Sequence, residues 1–402
     1  MKNKFKIIND PVHGIITIPN ALVYDIIQHR YFQRLRKISQ TGLTELVYPG
    51  AKHSRFNHAL GCMHLMQNAI KVLKEKGVEI SAEEEKGAYV AILLHDLGHG
   101  PFSHSLEYSI IEGSHHEEVS LQMMEQLNLE FKGELTTALQ IFKGEYSKKF
   151  LTQLVSSQLD VDRLDYLKRD SFFSGVVEGN INPERIISMM NVCNNELVID
   201  AKGLSSVEKF LMARIFMYNN VYLHKTSFSA ENYLIQVLRR AKEIVTSGRN
   251  IYASSAFMYF LSGKEKGKLS NEGLQIFSRL DDHDVMSAIK EWQFDEDFVL
   301  SKLAKAIVER KLPKSTLSLK PLSDSDLEIE LARVQNKFKI DDASYFVQQT
   351  KIEITPYNSQ KYPIKLLLKN GNVIEITQSE QSFLREVLNR SLIKYHYHSI
   401  KS

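Results

Sequence analysis

His95-Asp96 closes an apolar run, Ala88-Tyr-Val-Ala-Ile-Leu-Leu94, and leads into Leu97-Gly-His-Gly-Pro-Phe-Ser-His104. An imidazole and a carboxylate fixed side by side can bind a divalent cation, but two ligands do not fill its coordination sphere. Others must come from elsewhere in the chain. His58, in Ser54-Arg-Phe-Asn-His-Ala-Leu-Gly61, and Asp162, in Leu159-Asp-Val-Asp-Arg-Leu-Asp-Tyr-Leu-Lys-Arg-Asp170, have suitable types and give the order His, His-Asp, Asp. Two imidazoles with two carboxylates leave positions open for water and a phosphate oxygen. That pattern suits octahedral manganese, iron or magnesium better than a closed structural zinc site, although the sequence does not choose among Mn, Mg, Fe and Zn. An isolated His-Asp pair is more often an ordinary helix end, so the ordered set carries the metal reading, not the dipeptide.

The elements that must position these groups follow from periodicity. A buried helix is expected up to Leu97, with Gly98, Gly100 and Pro101 stopping it. Residues 5–18 read as a short strand or hairpin. Helical patterns recur at 21–40, 56–76, 83–97, 116–127, 133–142, 149–170 and 183–192; 197–200 reads as a strand and 205–247 as long helices. Asp162 and Tyr166, four apart, would share one helix face. The stretch 311–325 is loop-like. Beyond it, strands at 351–355, 364–368 and 373–376, with Asn370-Gly-Asn372 as a turn, precede a helix at 378–391. The expected fold is mostly α: a helical core with short β elements over 1–325 and a small α+β region over 326–402.

Composition sets outer bounds. A chain of 402 residues can bury a large core, and a formal charge of +3 gives no general electrostatic reason for nucleic acid or membrane as partner. Cys62 and Cys193 are the two cysteines, the N-terminus lacks a signal-peptide apolar run, and no segment approaches a continuous membrane span. A reducing, cytoplasmic location is the expectation.

Six motifs recur together: Asn9-Asp-Pro-Val-His-Gly14, Phe32-Gln-Arg-Leu-Arg36, Tyr48-Pro-Gly-Ala51, Arg55-Phe-Asn-His58, the His95 to His104 run, and Asp160-Val-Asp-Arg-Leu-Asp-Tyr166. In order and approximate spacing the chain resembles the HD-domain superfamily, and more closely its deoxynucleoside triphosphate triphosphohydrolase branch. The resemblance implies a helical HD core with His58, His95, Asp96 and Asp162 as metal ligands. It implies a cluster of His99, His104 and His116 beside the metal, with His104 as general acid toward the departing 5′ oxygen and Glu107 orienting it. The bland alternative for His116 is a solvated helix start, His115-His-Glu-Glu118.

The same resemblance places Tyr166 against the deoxyribose, where a 2′-hydroxyl would not fit, and Asp170 and Gln40 on the 3′-hydroxyl. Arg55, Arg163 and Arg214 would contact the triphosphate, and Tyr222 would line the pocket; Arg163 stands where a relative has lysine, keeping charge but changing geometry. The implied reaction is attack of a metal-activated water on the α-phosphorus, releasing deoxynucleoside and intact triphosphate. Relatives form homo-oligomers, dimers or tetramers, regulated by nucleotides between subunits, and Lys6, Asn9, Gln33 and Arg36 match effector positions. Ile26-Ile-Gln-His-Arg-Tyr31 departs from the Asp-Thr-Pro of nucleotide-activated relatives. Gln28 stands where an acid would read guanine, which argues against guanine-nucleotide activation. Two alternatives stay open: an HD phosphohydrolase acting on nucleoside monophosphates or another phosphoester, and a nucleotide-binding sensor.

Overall fold

Ser81 and Glu84 start the helix that delivers the His-Asp pair. The Ser81 hydroxyl accepts from the Glu84 amide (3.2 Å) and the Glu84 carboxylate from the Ser81 amide (2.8 Å), satisfying donors that a first helical turn leaves free. In this computed structural model, which describes residues 6–103, 107–355, 357–360, 363–384 and 391–401, with 107 and 108 as backbone only, that helix runs Ala82–Leu94. It ends at Leu94 rather than 97 because His95 to Gly98 form a turn, with Leu97 N donating to Leu94 O (3.1 Å) and His99 N to Asp96 O (3.2 Å). Close packing requires glycine here. A Cβ on Gly98 would lie 2.2 Å from the His116 carbonyl oxygen. Ser120 Oγ ties the two sides, accepting from Gly98 N and donating to His95 O, both at 2.8 Å.

The other two ligand-bearing helices, Arg55–Glu75 and Val161–Ser174, touch at Gly61, where a Cβ would meet Asp165 Oδ1 at 2.0 Å. The expected single helix at 149–170 is two, Lys149–Val155 and Val161–Ser174. Asp160 causes the restart, accepting from the Arg163 and Ser157 amides at 2.7 Å each, and so puts Asp162 in a first turn. The long helices expected over 205–247 are Leu204–Met217 and Lys225–Thr246, joined through a π turn at Tyr218–Tyr222. Such turns favour functional positions because they bulge side chains out of the helical register.

The fold is mostly α with short β elements. Ile7–Asp10 and Gly14–Thr17 form the expected hairpin, Asp10 opposite Gly14. The helix expected over 21–40 breaks at His29, whose backbone is extended, into Ala21–Gln28 and Arg30–Arg34 followed by a 3-10 turn. The end of the expected 183–192 helix is instead a strand, Met190–Cys193, turned back onto Glu196–Asp200 by Asn194 and Asn195 at φ 51° and 65°.

Strands on either side of residue 325 pair with each other. Lys365–Leu367 runs parallel to Glu196–Asp200, while Lys314–Ser318 and Val347–Ile354 flank Leu392–Ser399. The helix expected at 378–391 is not present over 379–384: the Phe383 and Leu384 amides and the Ser382 hydroxyl bond to the Glu208 carboxylate, which holds the chain in an irregular path. Residues 385–390 lie outside the described residues. No described helix is long and apolar enough to cross a membrane.

Candidate metal centre and substrate cavity

The three ligand-bearing segments converge. His58 Nε2 lies 3.0 Å from Asp162 Oδ1 and 3.6 Å from Asp96 Oδ2, and His95 Nε2 lies 3.3 Å from Asp96 Oδ1 and 3.6 Å from Asp162 Oδ1. His95 turns Nδ1 onto the Ile92 carbonyl (2.6 Å), so its Nε2 lone pair faces the acids. That Nε2 is buried and makes no hydrogen bond. An orphaned acceptor between two carboxylates fits a divalent cation. His58 is fixed in the same sense, with Nδ1 2.8 Å from Asp165 Oδ2.

The charge pattern agrees. Burial alone would suppress ionisation of Asp96, but Arg55, His95 and His99 hold its carboxyl well below the usual range; His58 and His95 do the same for Asp162. Burial would likewise lower His58, yet Cys62, Asp162 and Asp165 hold it well above the ordinary imidazole value. Ionised acids facing imidazoles form a charge set that a divalent cation can balance by displacing protons.

Beside this centre opens a cavity of about 370 Å³. Asp96, His99, His116 and Asp162 line one side, with Arg55, whose Nε donates to Ser103 Oγ (2.7 Å) and whose guanidinium pairs with Asp96. His99 stacks on His116 at 3.9 Å, and burial followed by Arg55 pushes its pKa well down. Gln40, Tyr166, Asp170, Tyr218 and Tyr222 also line the space. Asp170 is held at both oxygens, by His53 Nε2 and by the Tyr222 hydroxyl, each at 2.6 Å. Gln40 Oε1 is buried with no partner.

The HD domain family model matches residues 55–170, the span that holds all four ligands, and the HD associated region model matches 181–259. A crystal structure of a phosphohydrolase from Bacteroides thetaiotaomicron superposes with a TM-score of 0.95 at 44% identity, covering 99% of this chain and 100% of that one. The Bacillus subtilis protein YwfO is 32% identical over 96% of this chain and 89% of its own length. The chain belongs to the HD-domain superfamily. Within it, the chain falls in the branch that includes human deoxynucleoside triphosphate triphosphohydrolase SAMHD1, 32% identical over 60% of this chain but only 45% of the human protein. This HD protein is a phosphohydrolase with a site for a divalent metal.

Most residues named from sequence meet at this HD site. His58 and His95 are buried against Asp96 and Asp162, and Arg163 lines the cavity, its Nε tied to the Ser157 carbonyl (2.7 Å). Arg214 is set apart: it lies by Tyr218 and lines a separate cavity of about 180 Å³ with Glu353 and Thr355. His104 and the Glu107 side chain lie outside the described residues. The positions matched to effectors do not line the cavity. Lys6 sits over the Tyr24 ring, Asn9 is exposed opposite Ile15, and Arg36 donates to Gln33 (2.9 Å) and covers Phe56.

Sequence reasoning missed Asp165, His13, His53 and Tyr218. Asp165 was visible as the third acid of Asp160-Val-Asp-Arg-Leu-Asp165, and His13 lay inside a quoted motif, but neither spacing says which side chain turns inward. His53 carries no local signal, because its partner Asp170 is 117 residues away.

Proposed function

We propose that this HD phosphohydrolase cleaves deoxynucleoside triphosphates at the α-phosphorus, releasing deoxynucleoside and inorganic triphosphate. The observation that carries this reading is the joining of two chemistries in one cavity: the metal ligands on one side, and on the other Tyr166 with Asp170 clamped by His53 and Tyr222. Tyr166 stands one helical turn after Asp162 and lines the same cavity, where its ring would pack against a deoxyribose and disfavour a 2′-hydroxyl. Asp170, acceptor-only when ionised, reads the 3′-hydroxyl as a donor, with Gln40 beside it.

A divalent cation held by His58, His95, Asp96 and Asp162 would supply Lewis acidity toward the phosphate and the attacking water. Arg55 and Arg163 present positive charge where the triphosphate would lie, and Arg214, beside Tyr218, would be a third cation toward it. His99, kept neutral, and His116 stand where protons must move, His104 gives the leaving 5′ oxygen its proton, and Glu107 orients it. Homo-oligomerisation and nucleotide effectors at Lys6, Asn9, Gln33 and Arg36 belong to the same reading. With Gln28 in place of an acid, turnover of a single substrate without guanine nucleotide is expected.

The test is chromatography of products from each deoxynucleoside and ribonucleoside triphosphate, alone and in pairs, with manganese or magnesium, beside Asp96→Ala. Deoxynucleoside plus intact triphosphate, absent with the variant, is expected. Release of orthophosphate or pyrophosphate, or turnover confined to monophosphates, would replace this reading with that of another phosphoesterase. Turnover in neither case would leave the sensor.

A further inference from the structure

Asp165 is the hub of a buried network that leaves the metal centre and ends in the N-terminal hairpin. Its Oδ1 accepts from His13 Nε2 (2.6 Å) and Arg169 Nη2 (3.0 Å), and its Oδ2 from His58 Nδ1 and Arg169 Nε, both at 2.8 Å. A carboxylate offers about four lone-pair directions, so all are used and both imidazoles must come as donors. His58 is thereby committed to Nδ1–H, with its Nε2 lone pair turned toward Asp162 and Asp96. Arg169, with a side chain 0% exposed, is balanced on its far side by Asp10 at 2.8 and 3.3 Å. Asp10 also makes the hairpin turn, its Oδ1 accepting from the amides of Val12 (3.0 Å) and His13 (2.9 Å). One turn therefore delivers His13 to Asp165 and Asp10 to the guanidinium that holds Asp165 in place. The proposed reaction uses neither residue.

We infer that Asp10 and His13 are positioning residues for the metal ligand His58, acting through Arg169 and Asp165, so that the surface hairpin sets the affinity of the metal centre. The inference rests on the metal site and not on the choice of substrate. Metal affinity is read without nucleotide, so failure of the triphosphohydrolase reading leaves it standing, and the reverse.

The experiment is titration of the full chain with manganese(II), following the electron paramagnetic resonance signal of the free ion, for wild type, Asp165→Asn, Asp10→Asn and His13→Leu. The melting temperature of each chelator-treated protein is measured in parallel. Arg240→Met, which breaks the Arg240 clamp on Asp297 elsewhere in the fold, serves as a destabilised control. Outer partners of a ligating imidazole typically set affinity by about 10- to 100-fold. Asp165→Asn is expected in that range, and the two hairpin variants, one link further out, at about 3- to 10-fold. Arg240→Met is expected to melt earlier and bind manganese as wild type does. Wild-type affinity in folded Asp10→Asn and His13→Leu, or an equal loss in Arg240→Met, would overturn the inference. Should the charge-removing variants fail to fold, His13→Leu decides alone, because it removes a donor and no buried carboxylate.

Discussion

Two sets of buried histidines in this molecule sit in opposite surroundings. His13, His53 and His58 each face a carboxylate, at 2.6, 2.6 and 2.8 Å. His396 and His398, two apart on one face of the Leu392–Ser399 strand and both 0% exposed, face Ser229, the Lys225 carbonyl and the rings of Phe228 and Tyr233. Burial lowers both of these, and with His396 beside it His398 is pushed down to about 3. His58 is equally buried, yet its acidic neighbours raise it. Burial makes a histidine a neutral packing group, and a surrounding frame of acids makes it a ligand.

The sharpest way to break that contrast is to remove one histidine from each set. His58→Ala should lose metal on elemental analysis and lower the hydrolytic rate by about 10³-fold or more, since ligand and partner acids act as a unit. His398→Leu should keep both metal content and rate near neutral pH. Equal losses in the two variants would mean that the C-terminal sheet takes part in the chemistry.

Acid should then separate them by sign. Because the folded pKa of His398 lies below that of the unfolded chain, the unfolded state takes up the proton first. Stability is lost as pH falls from about 6.5 toward 3, at up to about 1.4 kcal/mol per pH unit. Urea midpoints at pH 7, 6 and 5 should fall less steeply for His398→Leu than for wild type; parallel slopes would show that His398 titrates in the folded protein as it does in the unfolded one. His58 carries the opposite sign. Its raised value gives stability present below about 6.5 and lost as pH climbs through the folded value.

The same contrast explains what the sequence revealed. His58, His95, Asp96 and Asp162 were legible as candidates because a ligand set has a chemical type and order, and because an apolar run broken by glycines marks where the His-Asp pair sits. The outer frame was not, because Asp165 pairs with Arg169 at an ordinary i,i+4 spacing, while the partners that give it a role, His58 and His13, lie 107 and 152 residues away. In the C-terminal region the expected strands form, at Val347–Ile354, Lys365–Leu367 and Val373–Glu375, and the rest departs for another reason. Leu392–Ser399 becomes a strand through partners at 314–318 and 347–354, one of which reads as a linker, and Glu208 diverts the segment expected to be helical. Local propensity cannot register such distant partners.

His53 sharpens the rule, since it has an acid partner yet belongs to neither group of candidate metal-holding residues. An acid frame thus also serves to hold the acid itself, here Asp170 at the end of the cavity proposed for the sugar. Tyr222→Phe removes one of the two bonds that fix that carboxylate and leaves the His53 bond in place. A hydrogen bond to a charged group contributes about 1.5 kcal/mol at the low end, so KM for a deoxynucleoside triphosphate should rise roughly tenfold, with kcat within about twofold. The penalty should vanish for a 3′-deoxy analogue, which has no hydroxyl for Asp170 to hold. A tenfold loss confined to kcat would instead place Tyr222 with the reacting phosphate, and the division of the cavity into a metal end and a sugar end would fail at that residue.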